Sequence, residues 1–213
     1  MKRGKWGKQW EAIITSQNVI YERTDQAYVY KQHPEVLVTK QVGASFQGRW
    51  SGKGQPDYAG LFDGLFFGME AKSTQSGKLT WAALRGHQAY QLDQIVRHHG
   101  VAFVAVLDAP NHMGLLIPWA RIRQAWFADR VHWEGERVKP AASRTRAPNG
   151  SASMSVQDLR ARAIWTHYAA PQVGWDYLPA LRGYANSVEA SADHRLTVDN
   201  PAPFYVPEQR RDR

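Results

Sequence analysis

An α/β domain with a mixed central sheet is the fold class the sequence predicts, on three observations. Apolar residues at helical spacing near the N-terminus give way to β-rich runs. An Asp63-Gly64 pair between apolar flanks is the strongest short-range hairpin signal available to a chain. Finally, Val101 to Leu107 is an almost unbroken apolar run after a helical stretch, as expected of a central strand covered on both faces.

In chain order, Trp6, Trp10, Ile13, Ile14 and Gln17 define an amphipathic helix over about 5–17, with Glu11 at the edge of its apolar face. Two strand-like runs follow, Ala27 to Lys31 and Glu35 to Val42, separated by His33-Pro34. Gly43 to Pro56 holds Gly43, Gly48, Gly52 and Gly54 and reads as a flexible loop or projecting arm. Trp81, Leu84, Leu92, Ile95 and Val96 predict one long helix ending at Gly100. Met113 to Ile117 reads as a strand and Trp119 to Phe127 as a short helix behind Pro118. Glu136 to Ser153 is rich in Pro, Ser and Arg and is expected to be a basic loop. Ser155 with Asp158 resembles a capping box that opens a further helix. The expected organisation is one domain over 1–186, with an arm at about 39–55, a basic loop at about 136–153 and a disordered polar tail over 187–213.

Composition narrows the chemistry. The chain has 213 residues, enough for one core, and 27 Lys plus Arg against 19 Asp plus Glu give a formal charge of +8. Such an excess favours a polyanionic partner, which can be nucleic acid, an acidic membrane or an acidic protein. Cysteine is absent, which removes disulfides, thiolate nucleophiles and Cys-ligated zinc. His87, His98, His99 and His112 lack the spacing of a zinc motif. No stretch reaches the ~20 apolar residues of a membrane span, and no export signal is visible.

The hairpin concentrates the chemistry. A two-residue turn at Asp63-Gly64 pairs Phe62 with Leu65 and carries the register on until Asp57 stands opposite Glu70, with Cβ atoms about 5 Å apart. Alternation puts Lys72 on the same face as Glu70, while Leu65, Phe67, Met69 and Ala71 point the other way. Facing carboxylates repel unless a cation lies between them, and a hard divalent ion with oxygen ligands is the natural occupant. Lys72 beside it could steady a nucleophile or a developing phosphorane charge. The alternative is a solvated strand face with three ordinary polar residues. Gln88 falls inside the predicted apolar stripe, where a buried amide needs partners; it either satisfies backbone groups or points under the hairpin toward the same patch. Glu11 either reaches that patch from the first helix or is a solvated carboxylate.

At Pro56-Asp57-Tyr58, Phe67 to Lys72 and His87-Gln88 the chain resembles the RecU-type Holliday junction resolvases, a branch of the PD-(D/E)xK nuclease superfamily. A Gly-x-x-Trp/Phe-Glu block, here Gly7 to Glu11, and Asp176-Tyr177-Leu178 extend the likeness over roughly 4–182. The resemblance implies a restriction-endonuclease-like core and a Mg²⁺-dependent homodimer, with Mn²⁺ as a substitute, that nicks opposing strands of branched DNA in the bacterial or phage-infected cytoplasm. It also implies Asp57 and Glu70 as metal ligands, Lys72 as the catalytic lysine, Glu11 (with a metal contact) and Gln88 as supporting residues, and a stalk at the arm. Lys40, Arg49, Trp50 and Lys53 are the expected DNA-binding residues of that arm. Two other readings stay open, a nuclease of duplex DNA in restriction or repair and a non-catalytic basic DNA-binding protein. Trp6 and Trp10 of the first helix and the aromatic stretch Trp165 to Tyr184 are the expected anchors of the dimer interface, the alternative being that these tryptophans complete the core of the monomer.

Overall fold

The computed structural model describes residues 5–33, 36–43, 45–50, 55–134, 137–140, 153–187 and 192. The chain opens with α1 (Lys5–Arg23), then β1 (Tyr28–Lys31), β2 (Val36–Val42), β3 (Ser45–Trp50), β4 (Tyr58–Phe62), β5 (Leu65–Thr74) and β6 (Lys78–Thr80). It continues with α2 (Gly86–Arg97), β7 (Val101–Asp108), β8 (Met113–Pro118), α3 (Trp119–Arg130), β9 (Val131–Glu134) and β10 (Arg137–Pro140). β11 (Ser153–Ser155), α4 (Val156–Arg162), β12 (Trp165–Tyr168) and α5 (Leu178–Ala185) complete the described elements.

The central sheet has six strands in the order β1-β4-β5-β7-β8-β12. It is mixed: β5 and β7 run parallel, and the remaining pairs are antiparallel. The β5-to-β7 crossover passes through α2, as a parallel pair requires. Two cores follow from this layering. On one face Trp10, Ile13 and Ile14 of α1 bury against Phe67, Met69 and Phe103, joined by Trp175, Tyr177 and Leu181. On the other, Leu92 and Val96 of α2 with Trp119 and Ile122 of α3 cover Val104, Val106 and Leu115. β7 is buried along its whole length, which is why its sequence is apolar without alternation.

The turn behaves as its sequence demands. Asp63 and Gly64 both take positive φ, 48° and 78°, the requirement of a type I′ hairpin that Asp-Gly meets at least cost. Phe62 pairs with Leu65 and the register runs unbroken to Tyr58 with Met69. At Gly60 an added Cβ would lie 2.6 Å from the Tyr28 carbonyl oxygen, so only glycine lets β1 pair this closely. Ser155 caps α4 by accepting from the Asp158 N–H at 3.0 Å.

Several expectations need correction. α1 extends to Arg23, past the expected end near residue 17. The glycine-containing segment after Gly43 is not a loop throughout: Ser45–Trp50 is a strand, paired with β2 in a separate two-stranded ribbon. The long helix expected from Trp81 is broken. A short 3₁₀ turn holds Trp81 to Ala83, Leu84 and Arg85 are extended, and α2 begins at Gly86. Trp81 and Leu84 are nevertheless buried, so their spacing reflected a shared core and not one helix. Arg137–Pro140, inside the expected basic loop, is a strand paired with β9. Residues 141–152, and the expected tail apart from Ser187 and Ala192, lie outside the described residues. Of the tryptophans expected at a dimer interface, Trp10 and Trp175 belong to the core of the single chain, while Trp6 and Trp165 are only partly buried. Trp10 is 1% exposed with its indole N–H donated to the Ala105 carbonyl at 3.0 Å, and Trp175 packs against it.

Candidate active site

β5 outruns its partner β4. The β4–β5 pairing ends at Met69, and from Ala71 to Thr74 the strand pairs with β7. Asp57, just before β4, turns its carboxylate to this edge and accepts the Ala71 N–H at 2.9 Å. Glu70 and Lys72 project from β5 toward α2, and Gln88, in the first turn of α2, meets them. Lys72 Nζ donates to Glu70 Oε1 at 2.5 Å and to Gln88 Oε1 at 3.4 Å. The Gln88 amide N–H donates to the same Glu70 oxygen, and its own oxygen accepts the Arg85 N–H at 2.9 Å. Gln88 thus closes the start of α2 and orients Glu70 at once. Gly68 contributes the close approach of α2, since a Cβ there would fall 2.2 Å from Ile95 Cδ1.

Glu70 is fully buried, yet its second oxygen, Oε2, has no hydrogen-bond partner. A buried carboxylate oxygen without a donor is costly. Burial pushes the Glu70 carboxyl up to about 8; Lys72 opposes that rise and the neighbouring Asp57 carboxylate adds to it. An unsatisfied acidic oxygen, beside a second carboxylate and a lysine, fits a hard divalent cation. Among the described residues no group of three His, Cys, Asp or Glu side chains gathers, so two carboxylates are the protein's offer and water or phosphate must supply the rest.

Of the residues expected at the site, Asp57, Glu70, Lys72 and Gln88 come together. Glu11 does not join them through its side chain: its carboxylate is held by Lys31 Nζ at 2.7 Å. Its backbone carbonyl accepts the Tyr58 hydroxyl at 2.9 Å, which ties α1 to the residue after Asp57. Lys31 was not singled out from the sequence; it lies beside the site because β1 pairs with β4, with Lys31 opposite Tyr58. Of the expected DNA-binding residues, Lys40 is exposed on β2 and Arg49 and Trp50 lie on β3, while Lys53 is outside the described residues.

The raised Glu70 carboxyl has a measurable consequence in metal-free protein. Its folded value of about 8 lies above the usual 4.5. The folded state therefore binds the extra proton, and the associated stability is fully present below pH 4.5 and lost as pH rises toward 8. One proton limits the slope to about 1.4 kcal/mol per pH unit. Denaturant melts in EDTA at pH 5 and pH 8 are expected to show this loss, and Glu70→Gln to remove it; equal slopes in the two proteins would contradict the assignment.

Two carboxylates and a lysine on a hairpin beside a parallel strand, with a glutamine from the following helix, define a PD-(D/E)xK-type site on a mixed sheet. A model of the family described as Recombination protein U matches residues 5–138, and the chain belongs to that family. The Holliday junction resolvase RecU of Ureaplasma parvum serovar 3 is 24% identical over 116 residues, covering 54% of this chain and 68% of that protein. The structure of the Archaeoglobus fulgidus Holliday junction resolvase Hjc is a distant likeness, with a TM-score of 0.32 and 14% identity over 51% of this chain and 76% of that one.

Proposed function

We propose that this protein resolves four-way DNA junctions by divalent-metal-dependent phosphodiester hydrolysis. The observation that carries the chemistry is Glu70, buried with Oε2 unpartnered while Lys72 and Gln88 hold Oε1. Asp57 and Glu70 would hold the cation, Mg²⁺ being the hard ion best suited to two carboxylates with water and phosphate. When bound, such an ion supplies Lewis acidity at the phosphoryl oxygen and a lowered pKa for water. Gln88 fixes the Glu70 rotamer, and the Ala71 N–H fixes that of Asp57. Lys72, largely buried at 15% side-chain exposure, places a cation where negative charge develops on the phosphate. Lys72→Ala is expected to lower the cleavage rate by about 10²-fold with divalent-ion affinity retained. A collapse of that affinity would make the lysine a structural partner of Glu70 only.

The substrate follows from family membership, the basic charge and the ribbon. β2 and β3 form a sheet of their own with Lys40 and Phe46 exposed, suited to contact phosphates and unpaired bases at a branch point. Incubating the protein with labelled four-way junction, linear duplex and single strand, with Mg²⁺ and with EDTA, tests this reading. Cleavage confined to the junction and to Mg²⁺ is expected; equal cutting of duplex would move the assignment to a duplex nuclease.

A junction needs two nicks, and the described residues offer one such site, so the working species in this proposal is a two-fold homodimer. With Trp10 and Trp175 committed to the core, the candidate interface is the uncovered face of β1, β4 and β5. Tyr28, Leu61 and Phe66 lie opposite one another across these three strands and are 56%, 48% and 38% exposed. Tyr30 continues the row along the β1 edge. Leu61→Lys is expected to convert the dimer to monomer in sedimentation at micromolar protein, with the monomer nicking a cruciform plasmid without linearising it.

A further inference from the structure

We propose a second nucleic-acid contact, an aromatic platform that stacks unpaired bases of the strand leaving the site, formed by Trp6, His112 and Tyr168 and flanked by Lys5 and Lys8. The proposal rests on the nuclease reading above and names a part of the substrate. Trp6, in the first turn of α1, meets the His112 ring edge-on at 5.6 Å between centroids. His112 in turn lies 5.9 Å from Tyr168, the last residue of β12. The three rings come from three distant parts of the chain. His112 takes a left-handed φ of 50°, an unfavourable conformation for a non-glycine residue, at the turn into β8. Its carbonyl accepts the Ala169 N–H at 2.8 Å, which fixes the turn against the end of β12.

The cluster is neither core nor random surface. Trp6 is half-buried against the α1 core and Tyr168 is 46% exposed, so ring faces remain available. Lys5 and Lys8 are exposed on the same first turns of α1, and no carboxylate lies between them. Aromatic faces interleaved with lysine are what a flexible single strand requires, since every base offers a π-face and every nucleotide a charge. The position fits as well. A Cβ at Gly7 would sit 4.0 Å from the Ser73 hydroxyl, and Ser73 follows Lys72 at the open edge of β5. Ser73 alternates with Lys72 and faces α1, so the platform lies on the α1 face of the sheet at the strand end just past the site, while Glu70 and Lys72 meet α2 on the other face.

The test is fluorescence anisotropy of a short labelled oligothymidine, in EDTA, alongside junction cleavage kinetics in Mg²⁺. Tyr168→Ala is expected to weaken oligothymidine binding roughly tenfold, and Tyr168→Phe to restore it, because stacking needs the ring and not the hydroxyl. Junction KM should rise in Tyr168→Ala with kcat unchanged, and Lys5→Ala with Lys8→Ala should reduce the salt dependence of binding. Unchanged oligothymidine affinity in Tyr168→Ala, or a loss in Tyr168→Phe equal to that in Tyr168→Ala, overturns the platform. If the wild-type protein cuts no junction while its oligothymidine affinity still depends on the Tyr168 ring, the nuclease reading fails and the platform stands.

Discussion

Asp57→Asn and Glu70→Gln are each expected to lower junction cleavage by at least ~10³-fold while junction affinity stays within about threefold of wild type. Each change removes one of the two carboxylates proposed to hold the cation, and with it both the Lewis acid and the water of lowered pKa, a larger loss than that of a single electrostatic donor. The substitutions are nearly isosteric. An asparagine at 57 still offers an oxygen to the Ala71 N–H, and a glutamine at 70 still offers one to Lys72 and Gln88, so the hairpin and the start of α2 should hold. DNA affinity rests on Lys and Arg contacts to phosphate, which neither change touches. Titration calorimetry with Mg²⁺ should lose its signal in both proteins. Nicking within an order of magnitude of wild type in both would remove Asp57 and Glu70 from the mechanism.

The parts of this site that the sequence disclosed are those governed by local rules. Asp63-Gly64 has one favoured turn, that turn has one register, and the register brings Asp57 to Glu70 and Lys72. Gln88 was visible as a polar residue among apolar neighbours, although the helix expected to carry it begins later, because Leu84 and Arg85 are extended ahead of Gly86. Contacts set by non-local pairing were not legible. Nothing near Lys31 says that β1 will pair with β4 and bring it to Glu11, so the orientation of the Glu11 carboxylate could not be read in advance. The same holds for Trp10 and Trp175, which lie far apart in the chain; composition shows large rings but not that they fill one another's space. β3 was hidden for a different reason: Gly48 and polar neighbours depress β-propensity, and the strand depends on its partner β2.

Asp93→Ala is expected to cost about 3–5 kcal/mol of stability, a large fraction of the roughly 5–15 kcal/mol that a folded domain has. Asp93 lies on α2, 1% exposed, and its carboxylate accepts Arg123 Nε at 2.8 Å and Nη2 at 3.0 Å, a bidentate pair with α3. Trp119 donates its indole N–H to the same carboxylate at 2.5 Å. Arg123 is itself 6% exposed, so alanine at 93 takes a bidentate carboxylate partner away from a guanidinium held in the interior, the costly way to break a buried pair. At roughly 2–4 °C per kcal/mol for a chain of this length, the melting temperature should fall by about 6–20 °C. A coupled replacement, Asp93→Leu with Arg123→Met, should recover most of the loss, since well-packed apolar residues can match a buried ion pair. A drop of less than ~1 kcal/mol in Asp93→Ala would show the pair to be hydrated and of little weight. The experiment also separates scaffold from chemistry, because α2 carries Gln88 to Glu70 as well as Asp93 to Arg123. Assayed well below its lowered melting temperature, Asp93→Ala should keep a kcat close to wild type, whereas Asp57→Asn and Glu70→Gln should melt within a few degrees of wild type at pH 5 and still fail to cut.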